Sequence, residues 1–301
     1  AALVYAMPVI GGLLADRYLG MRKAVIFGGV LLALGHLGMA LEGEQARQVG
    51  DRIVRDTGTL QAFYFSLALI VIGVGFLKPN ISTIVGRLYG EDDPRRDAGF
   101  TIFYMGINIG AFAATLLCGY LGETFGWRYG FGAAGIGMLI GLGTFLYGQQ
   151  HLHGLAEPRD HALLQQKAPL GTNKEWTIYL CGLLAGFAAG KMMQFHGAVG
   201  HTLNLLSVAV LAGLGWFITV KCNAVERSRM LVLLILTMST VVFWALFEQA
   251  AASMTLYADR VVDRNILGWE LTAAQFGSLN AFFIFLFAPL FAWLWIFLGR
   301  R

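Results

Sequence analysis

The chain has 301 residues, of which 57% are hydrophobic and 13% charged, with a mean hydropathy of +0.63 and a net charge of +4. A soluble domain carries about a quarter charged residues, so this composition excludes an ordinary soluble globular fold and points to an all-α polytopic membrane protein. In that setting the basic balance marks membrane-proximal loops and not a nucleic-acid partner, and the widely spaced Cys118, Cys181 and Cys222 read as free thiols without a disulfide framework.

A spanning helix needs about 20 apolar residues. The stretches that approach this are 1–14, 24–41, 61–86, 98–121, 129–148, 176–190, 203–220, 230–257 and 272–298. The first is short for a span, as if the chain started midway down a helix, and 176–190 is also short. The N-terminal stretch is already apolar, meets its first charge at Asp16 and has no pattern of a cleavable signal peptide. With residue 1 placed outside, basic residues in the inside loops outnumber those in the outside loops by about two to one. This predicts residue 1 outside and residue 301 inside. The longest polar stretch, 148–175, then lies inside and separates 1–147 from 176–301.

Several stretches interrupt the apolar pattern. In "GGLLADRYLGMRK", 11–23, Gly11 and Gly12 allow close helix packing. Asp16 is suited to helix N-terminal amides or to an arginine. Arg17, Arg22 and Lys23 suit an anionic inner leaflet. Gly12, Asp16 and Arg17, followed by Gly20, Arg22 and Lys23, make a G-x-L-A-D-R and G-x-R-K loop between two helices that resembles the signature loop of the major facilitator superfamily; an ordinary basic loop is the alternative.

Lys78 lies deep in 61–86, followed by Pro79 and by Ser82 one turn on. It is either a lysine snorkelling to the interface or a charge held for function, at a cost of roughly 2.5–3.5 kcal/mol for a central lysine. Pro79 frees a carbonyl one turn earlier, which a helix tolerates where it faces protein or a cavity. Asn108, within "FYMGINIG" and flanked by Gly106 and Gly110, reads as helix–helix glue or as a site residue. Glu248 and Gln249 in "FWALFEQAAAS" sit far from both ends of 230–257, with Trp244 one turn away on the same face. A buried carboxyl there is a candidate proton carrier. Ser278 and Asn280 fall early in 272–298, and Tyr5 precedes Pro8 in the first stretch; each reads as packing or as a site residue. The glycines of 132–143 have no nucleotide-binding context. His151, His153 and His161 lie in a solvated loop and His196 and His201 near an outer turn, so no metal site is expected there, and the sequon at 80–82 falls at membrane depth.

The stretches "GGLLADRYLG", "GFLKPNIS", "FYMGINIG", "FWALFEQ" and "SLNAFFIFLFAPLFAWLW" together resemble the proton-dependent oligopeptide transporter family of the major facilitator superfamily, in order and over nearly the whole chain. The resemblance implies two helical bundles, incomplete here. Residues 1–147 would be an N-terminal bundle lacking its first helix, whose glutamate-rich E-x-x-E-R-F motif has no match. Residues 148–228 would be a cytoplasmic linker with two additional membrane helices, and 229–301 the seventh and eighth helices. It implies a multi-pass inner-membrane symporter, not an enzyme, that imports di- and tripeptides with protons and no cofactor. Relatives that carry nitrate or other small anions keep a second substrate class open, and a non-transporting scaffold or receptor is a third alternative. By the resemblance Lys78 binds the peptide carboxylate or couples to protonation, Asn108 and Asn280 hold the peptide, and Tyr5, Trp244 and Ser278 line its site. Glu248 is a gate and proton site.

Overall fold

The structure is a computed structural model that describes residues 2–41, 47–54, 56–90, 92–93, 95–168, 171–266 and 268–299. The chain ends whose sidedness the charge bias predicts, Ala1 and Arg301, lie outside the described residues. Among the described residues the fold is all-α apart from two short hairpins. In chain order the helices are α1 (Ala2–Leu14), α2 (Met21–Met39), α3 (Thr57–Arg87), α4 (Arg96–Phe125), α5 (Trp127–Gly148), α6 (His161–Gln165) and α7 (Lys174–Gln194). They continue as α8 (His196–Val220), α9 (Ala224–Phe247), α10 (Ser253–Arg260), α11 (Ala273–Phe276) and α12 (Ser278–Gly299). Among the described residues, 7 helical stretches are long and apolar enough to cross a membrane. Of the apolar stretches predicted to span, 1–14 and 176–190, which match α1 and α7, fall outside that group.

The chain divides into two compact units, Ala1–Lys191 with Ser278–Arg301, and Met192–Gly277. In the first unit α3 is the central helix, with α1 and α2 packed on it and α5 on α2. Small residues set these distances. A Cβ on Gly28 of α2 would lie 2.7 Å from the Gly73 carbonyl oxygen of α3, so the two backbones touch where a larger residue would hold them apart. Around this contact Leu31, Leu69, Ile72 and Phe76 form a buried cluster with Ala15, Leu19 and Leu164. The apolar side chains of α4 are mostly exposed. This helix packs on α5 and α12, with the Phe112 ring 5.8 Å from Phe282 and 5.7 Å from Phe285. The mixed-charge loop before α3 holds a hairpin, β1 (Arg47–Val49) with β2 (Arg52–Val54), turned at Gly50 with φ 61°.

In the second unit α8 passes to α9 through a capping box, in which Asn223 and Glu226 exchange side chain-to-backbone hydrogen bonds at 2.9 Å. The apolar stretch 230–257 is not one helix. α9 ends at Phe247, residues Glu248–Ala251 form a 3-10 turn, and α10 starts at Ser253. Neither proline nor glycine marks this break. Polar side chains take up carbonyls around it: Thr255 donates to the Ala250 carbonyl at 2.9 Å and Gln249 to that of Ala245 at 3.4 Å. A second hairpin, β3 (Asn265–Ile266) with β4 (Trp269–Glu270), leads to α11.

Candidate functional site

The first unit builds its unusual charge on a proline. Pro79 has no N–H, so the carbonyl of Gly75, four residues earlier in α3, loses its helical donor. Gly11 of α1 fills the space beside that carbonyl. A Cβ on Gly11 would lie 2.2 Å from the Gly75 oxygen, and a Cβ on Gly75 would lie 2.7 Å from the Cβ of Met7. The crossing of α1 and α3 is therefore backbone on backbone, one turn before Lys78. After the proline, Thr83 and Ser82 donate their hydroxyls to the Pro79 carbonyl at 2.8 Å and 3.1 Å. These hydroxyls bond back to the proline's own carbonyl and not to the Gly75 carbonyl that the proline frees.

This crossing fixes two neighbours in opposite senses. Asn80 is buried and donates its side-chain amide to the Phe76 carbonyl at 2.7 Å. Lys78, two residues earlier, is exposed on the other side of α3. Its ammonium lies 5.9 Å from the centre of the Tyr5 ring, in cation–π range. Among the described residues no carboxylate forms an ion pair with Lys78. Lys78 and Tyr5, far apart in the sequence, are thus brought together.

Asn108 is buried on α4 and donates to the Tyr104 carbonyl of its own helix at 2.9 Å, which leaves its side-chain oxygen as an acceptor. Ser278 is buried and Asn280 exposed on α12, the helix that packs on α4 through the phenylalanines described above. In the second unit Trp244 and Glu248 are one turn apart, the Glu248 N–H meeting the Trp244 carbonyl. The Trp244 ring lies 5.7 Å from Phe243 and 5.3 Å from Phe247. Glu248 is exposed and caps α9, so the expectation of a carboxyl buried within a continuous helix is corrected: the break after Phe247 moves it to a helix end.

The loop 11–23 is held more firmly than its sequence suggests. Residues Ala15–Leu19 form a π-turn that closes at Gly20, where φ is 74°. A Cβ there would be strained and would lie 2.4 Å from the Pro158 nitrogen. The Arg22 guanidinium makes a bidentate pair with Glu157, its Nη2 3.2 Å from Oε2, and its Nη1 donates to Gln149 at 2.7 Å. Its backbone N–H donates to the Ala156 carbonyl at 2.9 Å. Lys23 pairs with Glu175 at 2.6 Å, and the Tyr179 hydroxyl donates to the same carboxylate at 3.1 Å. Asp16 and Arg17 are exposed. The expectation that Asp16 meets helix amides or an arginine is not met: among the described residues it makes no hydrogen bond or ion pair.

Glu157, Gln149 and Glu175 were not predicted. They lie more than a hundred residues from their partners, in a polar stretch whose composition carries no pairing signal. Glu157→Gln is expected to loosen this clamp by about 1 kcal/mol, the scale of a partly exposed bidentate pair. Trypsin cleavage at Arg159 or Lys167 in detergent should then accelerate about fivefold, if local opening governs it.

A family model described as the POT family matches residues 22–301. The uncharacterized transporter YclF of Bacillus subtilis (strain 168) is 37% identical over 305 residues, covering 100% of this chain and 58% of the relative. Peptide transporter YePEPT of Yersinia enterocolitica subsp. palearctica is 34% identical over 320 residues, with the same 100% and 58% coverage. A crystal structure of a peptide transporter POT variant in complex with alafosfalin matches with a TM-score of 0.75 and 36% identity, over 100% of this chain and 58% of that one. The chain thus spans less than two thirds of these relatives' length. Its fold is that of the multi-pass POT transporters of the major facilitator superfamily.

Proposed function

This chain belongs to the POT family, and from that premise we propose that it acts in a proton-coupled symporter that imports di- and tripeptides across the cell's inner membrane by alternating access. The observation that carries this reading is Lys78, an exposed ammonium in a spanning helix, positioned by the Gly11–Gly75 crossing and set against Tyr5. A peptide zwitterion needs a cation for its carboxylate, acceptors for its ammonium and walls that tolerate varied side chains. Lys78 supplies the first. The side-chain oxygens of Asn108 and Asn280 supply acceptors, and Tyr5, Ser278 and Trp244 supply walls. Glu248 serves as gate and proton site, and the proton gradient replaces any cofactor. In this reading residues 1–147 belong to the N-terminal bundle, 148–228 to the linker with its two helices and 229–301 to the C-terminal bundle, with residue 1 outside and residue 301 in the cytoplasm.

Competition tests the substrate. With the protein expressed from its complete reading frame in proteoliposomes, uptake of a labelled dipeptide should be displaced by di- and tripeptides and not by nitrate; the reverse order contradicts the reading. Glu248→Gln keeps the shape of the side chain and removes its proton. It should lower gradient-driven uptake at least tenfold, about 1.4 kcal/mol, and leave peptide exchange without a gradient largely intact. Equal losses in both would assign Glu248 to binding.

A further inference from the structure

One end of the first unit holds a basic cleft lined by none of the residues proposed above to bind the peptide. Ser82, Thr83, Arg87, Tyr89, Arg96 and Phe100 line about 440 Å³ where the last turns of α3 meet the first turns of α4. Gly86 keeps it open. A Cβ there would lie 3.2 Å from the Phe100 ring and 3.7 Å from Nη2 of Arg96, so any larger side chain would enter the cleft.

The two arginines are placed differently. Arg87 is anchored by one bond from Nη1 to the Leu155 carbonyl at 3.2 Å, which leaves the rest of its fork of donors available. The Arg96 guanidinium makes no hydrogen bond or ion pair among the described residues. Nearby negative charge is directed elsewhere. Asp93 accepts from Arg95 at 2.8 Å and 3.1 Å, and that neighbour holds its carboxyl down to about 2. Asp92 and Asp97 are exposed and pair with neither Arg87 nor Arg96.

Two guanidiniums, one at the end of α3 and one at the start of α4, with Tyr89 in the same lining, offer donors from more than one direction. A planar carboxylate satisfies one fork, whereas a tetrahedral phosphate presents oxygens to both. Arg22 and Lys23 at the same end are each paired with a glutamate, so the charge that an anion would meet in the cleft is that of Arg87 and Arg96 themselves. We propose that this cleft binds a phosphate group, supplied either by the headgroup of an anionic phospholipid or by phosphate from the aqueous phase. The lipid source rests on the proposed orientation, which places this end at the inner leaflet; the phosphate chemistry does not.

The test uses purified protein in detergent and compares the wild type with the Arg87→Gln, Arg96→Gln double variant. Sodium phosphate, against sodium chloride of equal ionic strength, should raise the wild-type melting temperature by several degrees and leave the variant unmoved. After exposure to vesicles of phosphatidylcholine containing one part in five phosphatidylglycerol, the wild type should retain at least tenfold more phosphatidylglycerol than the variant. Retention without a phosphate shift identifies the lipid as the source, and a phosphate shift without retention identifies the aqueous anion. Gly86→Leu fills the cleft and keeps both charges, so it should abolish the same response, and it decides the matter if the double variant does not fold. Equal responses of the wild type and a folded variant would overturn the proposal. Neither readout requires transport, so its failure is separable from failure of the peptide assignment.

Discussion

Lys78→Ala is expected to abolish proton-driven dipeptide uptake. The lysine sits in a helix of the spanning group, where a charge at the membrane centre costs roughly 2.5–3.5 kcal/mol. Its exposed ammonium approaches one aromatic ring, and among the described residues no ion pair with a carboxylate accounts for its presence. Removing it should therefore cost little stability while removing the cation that a peptide carboxylate would meet. Lys78→Arg is informative because a guanidinium keeps the charge but is wider, planar and unable to lose its proton. It should restore part of peptide binding and little of the driven uptake. The readouts are accumulation under an inward proton gradient and binding of the same dipeptide to detergent-purified protein. Driven uptake by Lys78→Ala at the wild-type rate would remove Lys78 from the mechanism.

The second large effect lies in packing. Gly11→Ala places a methyl group 2.2 Å from the Gly75 carbonyl oxygen, far inside contact distance. Because that oxygen belongs to backbone, α1 and α3 must separate or shift, and overpacking of this kind costs typically about 1–3 kcal/mol. The shift also moves Tyr5 relative to Lys78, so uptake should fall along with stability. Gly12→Ala is the internal control. Its Cβ would lie 3.7 Å from the Pro79 Cβ, an ordinary contact. Thermal unfolding in detergent should show a drop of several degrees for Gly11→Ala and almost none for Gly12→Ala. Equal behaviour of the two would contradict the backbone crossing.

Much of this architecture was legible in the sequence because spanning helices leave a strong signal. Runs of about 20 apolar residues located α2 to α5 to within four residues at each end, while the starts of α8 and α12 were displaced by seven and six residues. Lys78, Asn108 and Glu248 stood out because polar groups are costly there. The glycine pair and Pro79 were each read as permitting close packing and freeing a carbonyl. That Gly11 lies on the carbonyl freed by Pro79 is a tertiary fact, which no local spacing encodes. The Glu157 and Glu175 pairs with Arg22 and Lys23 were hidden for the same reason. The break after Phe247 was missed because "EQAAA" is composed of good helix formers. The hairpin at Arg47–Val54 was missed because its strands have only 3 residues each, too short for a periodic pattern.

The most direct measurement is uptake by the wild-type protein, expressed from its complete reading frame, in proteoliposomes with an acidic exterior. A labelled dipeptide should accumulate inside above its outside concentration, and a protonophore should collapse that accumulation to equilibrium. Uptake that never exceeds the outside concentration, or accumulation that the protonophore leaves unchanged, would contradict proton-coupled peptide transport.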